Sequence, residues 1–138
     1  MDQRISFVTL AVQDLDATRD FYVGGLGWTA AVDVPGEVLM LKTGEHLVLS
    51  LWAAPGFEAE VGPIRQGPGI VPITLSHNLA TPEEVDAVLE TARAAGADPV
   101  HAGEQREWGG YSGYFADPDG YRWEIAYNPQ EIGQAVIP

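Results

Sequence analysis

The stretch "GGYSGYFADPDGYRWEIAYNP", Gly109 to Pro129, crowds six aromatic residues around one tight turn. Its centre, "DPDG" (Asp117 to Gly120), has the residues that a chain reversal needs: proline to preset φ, aspartates to bond the local backbone, and glycine for a positive φ. The next run, "YRWEIAY" (Tyr121 to Tyr127), reads as a buried strand. One carboxylate, Glu124, therefore stands between Trp123 and Ile125. An acid in such a place holds a metal, moves a proton, grips a cation or merely faces water, and the rest of the chain has to decide between these.

Working outward, the chain reads as two copies of one plan. Each copy opens on a strand, "ISFVTLAV" (Ile5 to Val12) and "IVPITLSHN" (Ile70 to Asn78), and each strand runs into a helix. In the first helix Asp14 or Asp16 caps the start, Phe21, Tyr22 and Leu26 supply the apolar side, and Gly24, Gly25 and Gly27 end it. In the second, "TPEE" gives Thr81 as N-cap, Pro82 at the first helical position and Glu84 as the partner in a capping box. Val85, Val88, Leu89 and Ala92 follow at helical spacing, and Gly96 closes the run. Three strand-like runs come after each helix: "TAAVDV", "EVLMLK" and "HLVLSLW" in the first copy, "DPVHAG", "GYSGYFA" and "YRWEIAY" in the second. The expected organisation is a first βαβββ module over 1–55, a Gly/Pro-rich linker over 56–70 and a second βαβββ module over 71–138, forming a single domain. One module alone is too small to bury a sheet face, so the two together are expected to form an open, curved eight-stranded α+β sheet around a cavity.

Composition narrows the function classes. With 138 residues, 46% apolar and 20% charged, the chain is of globular type. It has no cysteine, which excludes disulfides, thiolate metal sites and a cysteine nucleophile. The formal charge is −13 and Lys42 is the only lysine, a balance that repels phosphate backbones, so nucleic acid is not an expected partner. No apolar run approaches the roughly 20 residues that cross a bilayer, and no secretory signal is visible. A soluble, cytoplasmic protein without a membrane partner is expected.

Taken together, "VTLAVQDLDATRDFYVGGLGW" and "GYFADPDGYRWEIAYNP" resemble the opening and closing signatures of the vicinal oxygen chelate superfamily, which includes glyoxalase I, bleomycin resistance proteins, fosfomycin resistance enzymes and extradiol dioxygenases. The resemblance covers nearly the whole chain and implies the doubled βαβββ fold. It does not name a reaction, because one scaffold hosts several chemistries. Relatives commonly dimerise, so the resemblance also implies a homodimer.

In metal-dependent members four ligands face the cavity, two from each half. Carried onto this chain, the first position falls on Phe7, the second on Val48 or, with the strand slipped by one repeat, on Ser50, the third near Pro72, and the fourth on Glu124. Only Glu124 is a ligand type. A catalytic zinc-type site needs about three protein ligands, so neither a metal nor another cofactor is expected. Of the three histidines, His77 is read onto the opposite strand face and His46 onto an exposed turn, which leaves His101 as the one substitute ligand available to Glu124.

Ser112 in "GYSGY" is not a nucleophile elbow, since Tyr114 occupies a required glycine place and every histidine precedes the serine. The ligand-binding set expected on the inner face is Phe7 and Thr9 from the first strand, Thr74 and Ser76 from its repeat, Arg122 from the last strand and His101 from "PVHAG", with Trp52, Trp108, Tyr111 and Tyr114 as aromatic walls. Glu124 is the candidate catalytic residue. Three roles are open to it: an anchor for a cationic or polar ligand aided by aromatic faces, a partner in a salt bridge with Arg122, or a general base. The expected function is metal-independent binding of a small organic molecule, in the manner of the bleomycin resistance branch, and the acidity of the chain suits a cationic one without establishing it. The alternative is a lyase, isomerase or dioxygenase, glyoxalase I-like, that uses Glu124 with an altered metal site.

Overall fold

The computed structural model describes residues 1–137. The chain divides into two compact units, Met1–Pro68 and Gly69–Pro138. Among the described residues eight strands follow the expected strand–helix–three-strand order, hydrogen-bonded as two open four-stranded sheets rather than one continuous sheet.

The first unit contains β1 (Phe7–Val12), α1 (Leu15–Arg19), β2 (Ala30–Val34), β3 (Val38–Lys42), β4 (Val48–Ala53) and α2 (Ala54–Glu60). Its strand order is β1-β4-β3-β2, with β1 and β4 parallel and the other neighbours antiparallel. Asp14 is the residue that caps α1: its carboxylate accepts from the backbone N–H of Asp16 and Ala17, both at 3.0 Å. The helical run stops at Gly25, and Gly27 follows at φ +72°, where the sequence places the end; what the sequence does not show is that the last six residues, Asp20–Gly25, widen into a π-helical segment. Phe21 and Tyr22, both buried, meet edge to face at 5.2 Å within it. One face of the sheet, with Leu10, Val12, Leu39, Leu41, Leu49 and Leu51, is buried. Arg19 ties α1 to the edge strand β2 through two parallel bonds to Asp33, at 2.8 and 2.7 Å. Those bonds hold the Asp33 carboxyl below its ordinary range. Part of the segment read as linker is helical, since α2 runs to Glu60.

The second unit contains β5 (Thr74–Leu79), α3 (Pro82–Ala94), β6 (Val100–Gln105), β7 (Tyr111–Ala116), β8 (Arg122–Tyr127) and a short α4 (Glu131–Gln134). Its order, β5-β8-β7-β6, repeats the topology of the first. Thr81 and Glu84 form the reciprocal capping box that the sequence spells. From α3, Val85, Leu89 and Ala92 are buried, as are Phe115, Trp123 and Ile125 on the sheet face that it covers. The Phe115 and Trp123 rings lie nearly parallel there, 6.2 Å apart.

The turn between β7 and β8 is locked by its own side chains. Asp117 is buried, and its Oδ1 accepts from the N–H groups of Asp119 (3.0 Å) and Tyr121 (2.9 Å). Gly120 takes φ +84°, a conformation open to glycine at little cost. This closure sets the phase of β8, so that Trp123 and Ile125 point toward α3 while Arg122, Glu124 and Ala126 share the other face. No helix among the described residues is long and apolar enough to cross a membrane.

Candidate functional site

The register of the second sheet lays its uncovered face out as rows. One row runs Ser76, Glu124, Tyr114, His101 across β5, β8, β7 and β6. The row on one side holds Thr74, Arg122 and Ala116, and the row on the other holds Asn78, Ala126, Ser112 and Glu104. Glu124 sits in the middle of this surface and is half-buried.

Both of its oxygens are engaged by hydroxyls. Tyr114 donates its phenolic O–H to Oε1 at 2.7 Å, and Ser76 donates to Oε2 at 3.0 Å. Burial, and then the adjacent Glu124 carboxylate, raise the Tyr114 phenol above its ordinary range, so it stays protonated and stays a donor. An ionised carboxylate offers about four lone-pair positions. Two are used here, and the rest are open to a ligand N–H or O–H.

Tyr114 is itself braced. The Arg106 guanidinium lies 5.7 Å from its ring centroid, in cation–π range. Arg106 donates through Nε to Ser112 Oγ (2.9 Å) and through Nη2 to the Ser112 carbonyl (3.0 Å), and its Nη1 pairs with Glu104. Sequence reasoning missed Arg106, because it lies one residue past β6 and outside any strand alternation. Ser112, discarded as a nucleophile, is fully buried and holds this arginine in place.

Several expected residues fall elsewhere. Tyr111 is three positions from Tyr114 and therefore lies on the α3 side of the sheet, where its O–H donates to Asp86 at 2.9 Å. The structure thus removes Tyr111 from the inner set. Trp108 is 42% exposed in the turn between β6 and β7, and its carbonyl accepts from Gln130. Phe7, Thr9 and Trp52 belong to the uncovered face of the first sheet: Phe7 is 54% exposed, Thr9 pairs with Ser50, and Trp52 meets Phe57 of α2 edge to face at 6.1 Å. The salt bridge envisaged between Arg122 and Glu124 does not form, and none of the ion pairs among the described residues includes either.

The donor set does not fit a divalent metal. The repeat places Ser50 as the counterpart of Glu124, each the third residue of its strand and each paired with the third residue of the opening strand, Thr9 or Ser76. Phe7 and Val48 supply no ligating side chain, and the third position moves from Pro72, which lies before β5, to Thr74, which pairs with Arg122 as Phe7 pairs with Val48. His101 is two strands from Glu124, about 10 Å by strand spacing, with Tyr114 in the row between them. Among the described residues no group of three histidines or carboxylates is placed to hold an ion.

Comparison with known proteins then decides the kinship. The model of the Glyoxalase/Bleomycin resistance protein/Dioxygenase superfamily matches residues 4–125. The chain belongs to this superfamily. Among solved structures it is similar to a glyoxalase-related enzyme from Fulvimarina pelagi, with 33% identity over 92% of this chain and 89% of that one, and a TM-score of 0.82. It is also similar to a glyoxalase/bleomycin resistance protein/dioxygenase from Nocardioides, with 26% identity over 96% and 91% and a TM-score of 0.77. Lactoylglutathione lyase from Agrobacterium tumefaciens shares the fold at 24% identity over 93% and 96%, with a TM-score of 0.70. No curated protein matches the chain. Within the superfamily pattern, then, the closing carboxylate is present and is held by hydroxyls.

Proposed function

We propose that this superfamily member binds a small organic molecule on the uncovered face of its second sheet, with Glu124 as the anchoring acceptor and without a metal. The observation that carries the reading is the double grip on Glu124 by Tyr114 and Ser76. Outer-shell hydrogen bonds orient metal-ligating carboxylates as well, so the metal-free part of the reading rests on the missing partners: among the described residues no group of three histidines or carboxylates is placed to hold an ion. The free lone pairs favour a ligand with an N–H or O–H donor, and a cationic donor most, since hydrogen bonds between charged partners are the strong ones. A second reading, turnover in the lyase or isomerase manner, rests on the 2.7 Å contact between a phenol and a carboxylate, a pair able to relay a proton.

The two readings part in one experiment. Protein purified without chelator is expected to contain far less than one metal ion per chain and to leave a hemithioacetal unconverted, with or without added nickel or zinc. Stoichiometric metal, together with turnover that Glu124→Gln abolishes, overturns the binding reading.

A further inference from the structure

Beside Glu124 on the same face lies a group that the chain itself leaves unanswered. Arg122 Nη1 is buried, yet it has no hydrogen-bond partner. Its neighbours in the row are Thr74 and Ala116, neither of which brings a negative charge. The one carboxylate close by in sequence on this face, Glu124, is occupied by Tyr114 and Ser76 instead. A buried guanidinium nitrogen without an acceptor is costly, and native proteins leave few such groups unpaired. The fork of N–H groups that arginine presents matches the paired oxygens of a carboxylate, as it does those of a phosphate.

We infer that Arg122 is the subsite for a carboxylate on the ligand, so that the molecule bound here carries an anionic group beside its donor group. Alternate residues on one strand stand about 7 Å apart, which sets the spacing between the carboxylate taken by Arg122 and the N–H or O–H taken by Glu124. An amino or hydroxy acid that carries its donor several bonds away from the carboxylate has that chemistry. The net charge of −13 does not forbid it. Exposed charges beyond about 8 Å are screened at physiological salt, and the local charge at this row is the guanidinium. The inference deepens the proposed binding role and rests on it.

The test uses the full chain, stripped of metal by chelator and followed by amide and arginine side-chain NMR, with benzoate and benzylammonium as separate probes. Benzoate is expected to shift the Arg122 side-chain signal and the amides of residues 120–122 and 74–76 saturably. Binding should be on the order of tenfold weaker in Arg122→Met, weakened less in Arg122→Lys, and retained in Glu124→Gln. Arg122→Met should melt no lower than the wild type, because the substitution removes a buried nitrogen that has no acceptor. Absence of saturable benzoate shifts in the wild type, or equal shifts in Arg122→Met, overturns the inference, as does a lowered melting temperature with benzoate binding unchanged. Benzylammonium separates this from the parent reading. Failure of benzoate alone removes the Arg122 subsite, whereas failure of benzylammonium to perturb Glu124, Ser76 and Tyr114 removes the anchoring role of Glu124.

Discussion

Replacing Gly113 by valine is expected to cost on the order of 3 kcal/mol of stability, the upper range for forcing volume into a packed site. Gly113 sits in the middle of β7 on the face that α3 covers. A Cβ there would stand 2.5 Å from Leu89 Cδ1, 2.7 Å from the His101 carbonyl oxygen and 2.9 Å from the Gly103 nitrogen. The leucine has rotamers to spare, but the two backbone atoms belong to the neighbouring strand and move only if β6 moves. Relief therefore means lifting α3 or breaking the β6–β7 ladder, which also carries His101 and the approach to Arg106. Urea denaturation reads the effect. Gly24→Ala is the control: the added methyl would meet nothing within 4 Å and the residue has no positive φ, so stability should shift by less than about 0.5 kcal/mol. Equal, small effects at the two positions would contradict the packing described.

Tyr114→Phe comes second in size. The substitution removes the 2.7 Å donor to Glu124 and leaves a carboxylate oxygen on a half-buried surface to find water. Hydrogen bonds to charged groups contribute roughly 1.5–3 kcal/mol, and the partial exposure of the pair argues for the lower end. The pH dependence has a definite sign. The folded-state Tyr114 phenol is raised above its ordinary value of 10.0, so its contribution is fully present below about pH 10 and is lost as pH climbs through the folded-state value. The stability difference between wild type and Tyr114→Phe should accordingly be flat from about pH 6 to 9, then shrink in alkali. A difference below about 0.5 kcal/mol throughout would mean that the phenol does not hold Glu124 in solution.

How far the sequence carried these conclusions depends on the kind of regularity each residue obeys. Glu124 was legible because the "DPDG" turn fixes where β8 begins, and a strand started in a known phase places every later side chain on a known face. Ser76 followed from the repeat, which copies the phase of β1 onto β5. The same alternation separates Tyr111 from Tyr114, since an odd offset within a strand changes face; grouping them by aromatic type alone put Tyr111 on the wrong side. Arg106 obeys no period. It follows a bulge in β6, where the register shifts between His101 and Glu104, and only the three-dimensional path of that loop brings its guanidinium beneath Tyr114. The π-helical widening at Asp20–Gly25 was likewise illegible, because the glycines mark where the helix ends and not how its last residues are wound. The choice between Arg122 and the two hydroxyls as partners of Glu124 was also beyond the sequence. All three sit on one face, Ser76 and Tyr114 in the row of Glu124 and Arg122 in the next, and which of them reaches the carboxylate depends on side-chain geometry across those two rows.

The central proposal is that Glu124, each of its oxygens held by one hydroxyl, anchors a ligand without a divalent ion. Titration of the protein with cobalt(II), followed by visible absorption, tests it most directly, because protein-bound cobalt shows ligand-field bands that the hexa-aqua ion shows only weakly. No saturable band is predicted for the wild type. A band that saturates at one cobalt per chain and disappears in Glu124→Gln would contradict the claim.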